Sequence, residues 1–355
     1  MDTIDLLKQA VSREASDIFI IAGLPLSFKV GGHIVALGEA KLLPADAEAH
    51  IRSFYELAKR DMAPVRESGD DDFSFSLKGI SRFRASVYKQ RGTLAAVVRI
   101  VAFDLPDPQK LGLPETVLSL AGLTKGLVLV TGPAGSGKST TLACIVDRIN
   151  RGRSGHVITL EDPIEYIHPH QKSIVSQREL ANDTKSYVAA LRAALRQSPD
   201  VILLGEMRDH ETIATAMTAA ETGHLVLSSL HTLGAANTID RVIDAFPPNQ
   251  QSQVRIQLSM ILQAVVSQQL IPTLDGGMVP AFEIMTVNAA IRNMIRDSKT
   301  HQIDTVIYSS SSEGMIPMDS NILALYQQGL ISRREALIHS ANPDFIEKKL
   351  GPELS

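Results

Sequence analysis

An α/β fold is what this chain of 355 residues predicts, on three observations. Apolar strand candidates at residues 127–130, 156–160, 201–204 and 225–230 alternate with helical patterns, an order that places helices over a sheet. The glycine-rich segment Gly132-Pro133-Ala134-Gly135-Ser136-Gly137-Lys138-Ser139 follows the first of those strands and precedes a helix-competent stretch through Ala143 and Ile145. A break at Asp104-Leu105-Pro106-Asp107-Pro108 sets this alternating part off from a smaller mixed region before it.

Residues 1–100 read as a first helix followed by short apolar runs at 18–21, 26–30, 73–77, 83–88 and 94–100. Gly23-Leu24-Pro25, Gly31-Gly32 and Arg91-Gly92 supply turns between several of them. Residues 101–114 form the expected linker, because Pro106 and Pro108 remove backbone donors and bias the residues before them toward extended conformations. Residues 115–355 then carry the alternating α/β part. Downstream of Pro248 the pattern is mostly helical, over 250–270 and again over 289–297, and the run Ser309-Ser310-Ser311-Ser312 reads as a loop.

Composition narrows the possibilities. A hydrophobic content of 44% suffices for a substantial core, and the length allows two domains. The net charge of −4 with pI ≈ 6.2 gives no global basic field, so nucleic acid is a poor default partner. A single cysteine, Cys144, forms neither an intrachain disulfide nor a cysteine-rich zinc site, and reads as a small buried apolar residue. The N-terminal residues mix Asp2, Asp5 and Lys8 with apolar ones, unlike a signal peptide, and no stretch is long and apolar enough for a bilayer span. A reduced, cytoplasmic setting without direct membrane insertion is expected.

The glycine-rich segment is a P-loop in its proper strand–loop–helix context. Its glycines let backbone amides and the positive end of the following helix face a polyphosphate. Lys138 reaches the β- and γ-phosphates of such a ligand, and Ser139 stands where these loops ligate Mg²⁺, with Thr140 and Thr141 at the helix start. Hydrolysis also needs a carboxylate near the metal and the attacking water. Val201-Ile202-Leu203-Leu204-Gly205-Glu206 delivers Glu206 at a strand end, as the first choice for water polarisation or for the Mg²⁺ shell; Gly205-Glu206 occupies the place of the usual aspartate. Glu161 and Asp162 close another strand and are candidates to complete that site.

Arginines form a third component. A helical pattern over 183–197 puts Arg192 and Arg196 four residues apart on one face, and Arg208 follows Glu206 closely. Each alone is an ordinary surface ion-pair residue; around this strand they are also candidates for phosphate sensing or for contact across a subunit interface. His224 and His231 bracket the strand at 225–230. Metal ligation is the weaker reading, since opposite ends of a strand are far apart, and His231 is the better γ-phosphate sensor.

Taken together, these motifs resemble the secretion ATPase superfamily, and within it the PilT-like type IV pilus retraction (twitching motility) ATPases. The resemblance rests on the P-loop, on Ile158-Thr159-Leu160-Glu161-Asp162-Pro163-Ile164-Glu165-Tyr166, on Leu204-Gly205-Glu206-Met207-Arg208-Asp209, and on the histidine box from Thr222 to Thr232. Ala290-Ile291-Arg292-Asn293-Met294-Ile295-Arg296-Asp297 looks like the C-terminal retraction motif, with Met294 and Asp297 where leucine and glutamate are usual. Phe19 and Ser228-Ser229 depart from the family pattern without removing an obvious catalytic group. Assembly and type II secretion relatives generally carry a four-cysteine zinc insert, which one cysteine excludes.

The resemblance implies a RecA-like core at 115–355 with a helical C-terminal region, behind a smaller PAS-like α+β domain at 1–100. It implies a homohexameric ring that hydrolyses ATP with Mg²⁺ to drive pilus retraction, with Glu206, Glu161 and His231 catalytic and Ser139, Glu161 and Glu206 around the metal, partly through water. Arginines of the smaller domain close on the phosphates in that family, and Arg84 and Arg99 match those positions, Arg82 less well. The implied partner is a pilus platform protein of the inner membrane, which holds the ring peripherally at the cytoplasmic face. A pilus assembly or type II secretion ATPase and a ring-shaped nucleic-acid translocase are the alternatives.

Overall fold

Asp2 starts the chain's first helix, α1 (Thr3–Ser12), by accepting a hydrogen bond from the Ile4 amide, and Leu6, Leu7 and Ala10 bury its apolar face. The computed structural model describes residues 2–101 and 105–350. It divides into two units, Met1–Asp104 with Pro163–Ile167 and Ala181–Asp183, and Leu105–Asp162 with His168–Leu180 and Thr184–Ser355. Asp104, the first residue of the expected break, lies outside the described residues, as do Ala102 and Phe103 of the expected linker.

The first unit continues through β1 (Asp17–Ile20), β2 (Pro25–Val30), β3 (His33–Lys41), α2 (Pro44–Ala58), α3 (Ala63–Ser68), β4 (Asp70–Leu77), β5 (Ser81–Gln90) and β6 (Thr93–Val101). These strands form one antiparallel sheet in the order β3-β2-β1-β6-β5-β4. Its core joins Ile18, Ile20 and Phe28 to an aromatic row in which Phe75 stacks against both Phe54 and Phe83. Asp71, almost fully buried, is compensated by two hydrogen bonds from Arg60, at 2.7 and 3.0 Å, and one from the Tyr55 hydroxyl at 3.1 Å. β3 and α2 were not expected from the sequence. β3 is an edge strand without a buried face, so no alternation marks it.

The second unit contains α4 (Glu115–Ser119), β7 (Gly126–Thr131), α5 (Lys138–Gly152), β8 (His156–Glu161), β9 (Ile174–Glu179), α6 (Tyr187–Ala194), β10 (Val201–Leu204), α7 (His210–Glu221) and β11 (Leu225–Leu230). It then runs through α8 (Ala235–Asp244), α9 (Pro248–Ile261), β12 (Leu262–Pro272), β13 (Met278–Thr286), α10 (Ala289–Arg296), α11 (Ile303–Ser309), α12 (Met318–Gln327), α13 (Arg333–His339) and α14 (Pro343–Leu350). The sheet order is β13-β12-β7-β11-β10-β8-β9, all parallel except the edge strand β13. One face packs on α4 and α5, the other on α6 to α11, so β7 is buried on both sides and reads as a continuous apolar run. The ends of β12 and β13 hold α12 to α14 through a separate cluster that includes Ile271, Met318 and Ile322.

Two sequence expectations need correction. The helix expected over 250–270 stops at Ile261, and Leu262–Pro272 becomes β12, pairing in parallel with β7. Local preference for either state is weak there, and the free edge of β7 decides it by offering a hydrogen-bonding partner. The helix expected over 183–197 is only Tyr187–Ala194, started by Ser186 accepting from the Ala189 amide. Arg196 therefore sits in the turn after α6 and does not share a helical face with Arg192. The polar run at 309–312 ends α11 and enters a single 3₁₀ turn.

Candidate nucleotide-binding site

The parallel register brings the functional strand ends to one edge of the sheet. Leu230 on β11 pairs with Thr131 on β7, while Leu204 on β10 pairs with both Ser228 and Leu160. The residues that follow, Gly132, His231, Gly205-Glu206 and Glu161, consequently emerge side by side.

At the end of β7 the chain turns through Gly132 with φ 142°, where an added Cβ would lie 2.0 Å from the Gln268 carbonyl oxygen. No other residue fits that approach. Pro133, Ala134 and Gly135 form the exposed tip. Gly137, in the left-handed region, hands the chain to α5, whose first residue is Lys138. The Lys138 ammonium is buried and donates to the carbonyls of Gly132 and Pro133, at 2.9 and 2.8 Å. Ser136 Oγ is buried with no hydrogen-bond partner among the described residues. A helix N-terminus, an enclosed ammonium and an orphaned hydroxyl suit an anion rich in acceptor oxygens. Ser139 is exposed and Thr140 half-buried on the first turn of α5.

Gln268 supports this loop from β12. Its Nε2 donates to the Ser136 carbonyl at 2.5 Å, and its Oε1 accepts from Thr141 Oγ1 at 2.7 Å. The sequence does not single it out, because the segment that carries it reads as helix there. Next to the loop lies a cavity of about 400 Å³ whose walls include Lys110, Leu113, Gly137, Thr140 and Phe282. Its dimensions are those of a small organic ligand's subsite.

On the acidic side, Thr159 Oγ1 and Gln177 Nε2 donate to Glu161 Oε1, at 2.5 and 3.2 Å. Gln177 stands on β9, a strand absent from the sequence expectations, and so was not singled out either. Asp162 is exposed beside Glu161. The Glu206 carboxylate, with only 13% of its side chain exposed, takes an ion pair from Arg208 and a contact of 3.1 Å from His231 Nε2. Burial pushes this carboxyl upward, but the Arg208 guanidinium and the His231 imidazole outweigh it and hold it below the ordinary carboxylate range. Arg208 thus contacts a site carboxylate directly. His231 is followed by Thr232, whose hydroxyl lies 2.8 Å from that of Thr238. His224 stands at the other end of β11, where Nδ1 meets the Ala219 carbonyl at 2.9 Å and ties off α7.

The other candidate arginines have contacts of their own. Arg192 pairs with Glu211 at 3.0 Å, both side chains largely exposed. Arg196 is exposed in its turn. Arg84 and Arg99, in the first unit, face each other across β5 and β6, and Arg99 Nε donates to Asp17 Oδ1 at 3.0 Å. Like charges opposite one another on a sheet repel, and the Asp17 carboxylate offsets part of that cost. In the retraction-type motif, Ile291 and Ile295 are buried against the core. Arg292 is turned inward, donating to the carbonyls of Ser259 and Met260 at the end of α9, whereas Asn293, Arg296 and Asp297 are exposed. Among the described residues no helix is long and apolar enough to cross a membrane.

Comparison with known proteins agrees with this architecture. The chain is 43% identical over 336 residues to the type IV pilus retraction ATPase PilT of Pseudomonas aeruginosa, covering 95% of this chain and 97% of that protein. It is 40% identical over 352 residues to the type IV pilus ATPase PilU of the same organism, covering 98% and 91%. A crystal structure of the pilus retraction motor PilT with bound ADP superposes with a TM-score of 0.90 at 46% identity, over 98% of this chain and 99% of that one. The family described as type II/IV secretion system protein matches residues 3–330, and the chain belongs to that family.

Proposed function

We propose that this protein is a motor ATPase that hydrolyses ATP with Mg²⁺ as a homohexameric ring and drives type IV pilus retraction. The observation that carries the reading is the convergence of the P-loop, Glu161, Glu206 and His231 at one sheet edge, in a chain related along nearly its whole length to PilT. Pro133, Ala134, Gly135, Ser136 and Gly137 wrap the phosphates with backbone amides. On binding, Lys138 Nζ leaves the Gly132 and Pro133 carbonyls for the β- and γ-phosphates, exchanging two neutral acceptors for charged ones. The neighbouring cavity takes the nucleoside.

Ser139, Glu161 and Glu206 are hard oxygen donors and fit Mg²⁺, some of them through water. When bound, the cation neutralises phosphate charge. Glu206 polarises the hydrolytic water: it stays ionised, held by Arg208 and His231, and takes up the water's proton as the water oxygen bonds to the γ-phosphorus and the bond from that phosphorus to the bridging oxygen breaks, releasing ADP and phosphate. Glu161 positions that water and the metal shell, and His231, with one ring nitrogen on Glu206, senses the γ-phosphate. Arg208 has a second role available, to exchange Glu206 for phosphate as the site fills.

Arg84 and Arg99 of the N-terminal domain, and Arg192 and Arg196 of the ATPase domain, supply cations toward the nucleotide or a neighbouring subunit. The cross-strand pair Arg84 and Arg99 suits an anion that relieves the repulsion. The domains of this reading are a PAS-like domain at 1–100, a linker at 101–114 and a RecA-like ATPase domain at 115–355. The ring works peripherally at the cytoplasmic face of the inner membrane, on a platform protein met by the exposed residues of the retraction-type motif, Asn293, Arg296 and Asp297.

Two measurements test the reading. Lys138→Ala in the purified full-length chain should abolish ATP turnover, and deletion of the gene should abolish pilus retraction while leaving pili extended. Wild-type turnover in Lys138→Ala would remove the P-loop from the mechanism, and normal retraction in the deletion strain would remove the cellular role.

A further inference from the structure

The strand that faces a P-loop commonly ends in an aspartate; here position 205 is glycine, followed by Glu206. The structure gives a steric reason. A Cβ on Gly205 would lie 2.9 Å from the hydroxyl oxygen of Tyr187, and 3.5 Å from both the Glu161 Cα and the Leu160 carbonyl oxygen. Tyr187 is the first residue of α6, and helical side chains lean toward their N-terminus, so its ring reaches back over the ends of β8 and β10. The hydroxyl thereby fills the space beside Gly205, next to the Glu161 backbone and within electrostatic reach of the Glu161 and Glu206 carboxylates.

We infer that the Tyr187 hydroxyl replaces the missing strand-end carboxylate as a positioning residue, hydrogen-bonding the hydrolytic water between Glu161 and Glu206. The inference rests on the proposed ATPase reading and deepens it. Glu161 is already engaged by Thr159 and Gln177, and Glu206 by Arg208 and His231, whereas among the described residues none hydrogen-bonds the Tyr187 hydroxyl. Carboxylates only accept, and a water held by acceptors alone has its lone pairs unclaimed. A phenol donates to one of those lone pairs and fixes the water's orientation. The groups facing it are Asp162, Glu206, Arg208 and Glu161; burial first, then the three carboxylates, hold the phenol above its ordinary range, so it remains a donor at working pH.

The test uses the full-length chain with ATP and Mg²⁺. Tyr187→Phe should lower kcat by about tenfold or more, with KM and nucleotide Kd changed by less than about twofold and the melting temperature kept, the pattern of an interaction made mainly in the transition state. Gly205→Ala, whose methyl displaces the hydroxyl, should give a similar loss. The double variant should lose no more than the worse single one, because both changes remove one contact.

Unchanged turnover in Tyr187→Phe overturns the inference. So does a loss that comes with a lowered melting temperature, which would make Tyr187 a packing residue, or losses that multiply in the double variant. If the wild-type chain hydrolyses ATP and Lys138→Ala does not, a silent Tyr187→Phe refutes this inference alone. A wild-type chain without ATPase activity refutes the underlying reading as well.

Discussion

Replacing Gln268 by methionine should weaken nucleotide binding far more than a conservative change of volume suggests. The side chain is buried, and its amide bridges the Ser136 carbonyl of the P-loop and the Thr141 hydroxyl of α5, two groups more than a hundred residues away in sequence. Methionine keeps the shape but leaves both groups buried without partners. Each such orphan costs about 1–3 kcal/mol, so the pair costs about 2–6 kcal/mol in total, shared between global stability and the local geometry of the loop. If about 2 kcal/mol falls on the loop, its binding-competent population drops roughly 30-fold and the apparent Kd rises by the same factor.

Titration with a fluorescent ATP analogue measures the second quantity, and urea unfolding the first. The companion change Thr141→Val removes one orphan by removing the hydroxyl, so Gln268→Met/Thr141→Val should recover part of the lost stability. A Kd within about twofold of wild type, together with reduced stability, would show that Gln268 belongs to the core and has no grip on the loop.

Other contacts in the structure set outcomes of their own. Glu206→Gln should retain ATP binding and slow hydrolysis by about a hundredfold or more, measured by single-turnover phosphate release. Because the Glu206 carboxyl is held below the ordinary carboxylate range in the folded protein, its pairing stabilises the fold above that range and is lost as pH falls through the lowered value. The melting-temperature advantage of wild type over Glu206→Gln should therefore shrink in acid and be full at neutral pH. Asp71→Ala, which strands Arg60 and the Tyr55 hydroxyl, should cost about 3–5 kcal/mol in chemical denaturation. Arg292→Ala should lower thermal stability by about 1–2 kcal/mol through the two α9 carbonyls it frees, whereas Asn293→Ala should leave stability and ATP turnover intact and impair retraction.

How much of this was legible in the sequence depended on whether local pattern and tertiary pairing agreed. The P-loop, the apolar runs that became β7, β8, β10 and β11, and the carboxylates at their ends were readable, because parallel strands buried on both faces are written as uninterrupted apolar segments. β12 was not readable, since its apolar and polar residues come in runs (Ala264-Val265-Val266, then Ser267-Gln268-Gln269) with no strand alternation, and only the open edge of β7 makes it a strand. That one misreading hid Gln268, and the unmarked β9 hid Gln177 in the same way. Tyr187 was hidden for a different reason. Its sequence neighbours describe only a helix start, and the meaning of Gly205 is visible only once the hydroxyl is seen in the space a side chain would need. The supports of this site thus come from elements that local pattern specifies poorly, while the groups they support come from elements it specifies well. Substitutions at Gln268, Gln177 or Tyr187 should accordingly alter the chemistry without touching any motif by which the chemistry is recognised.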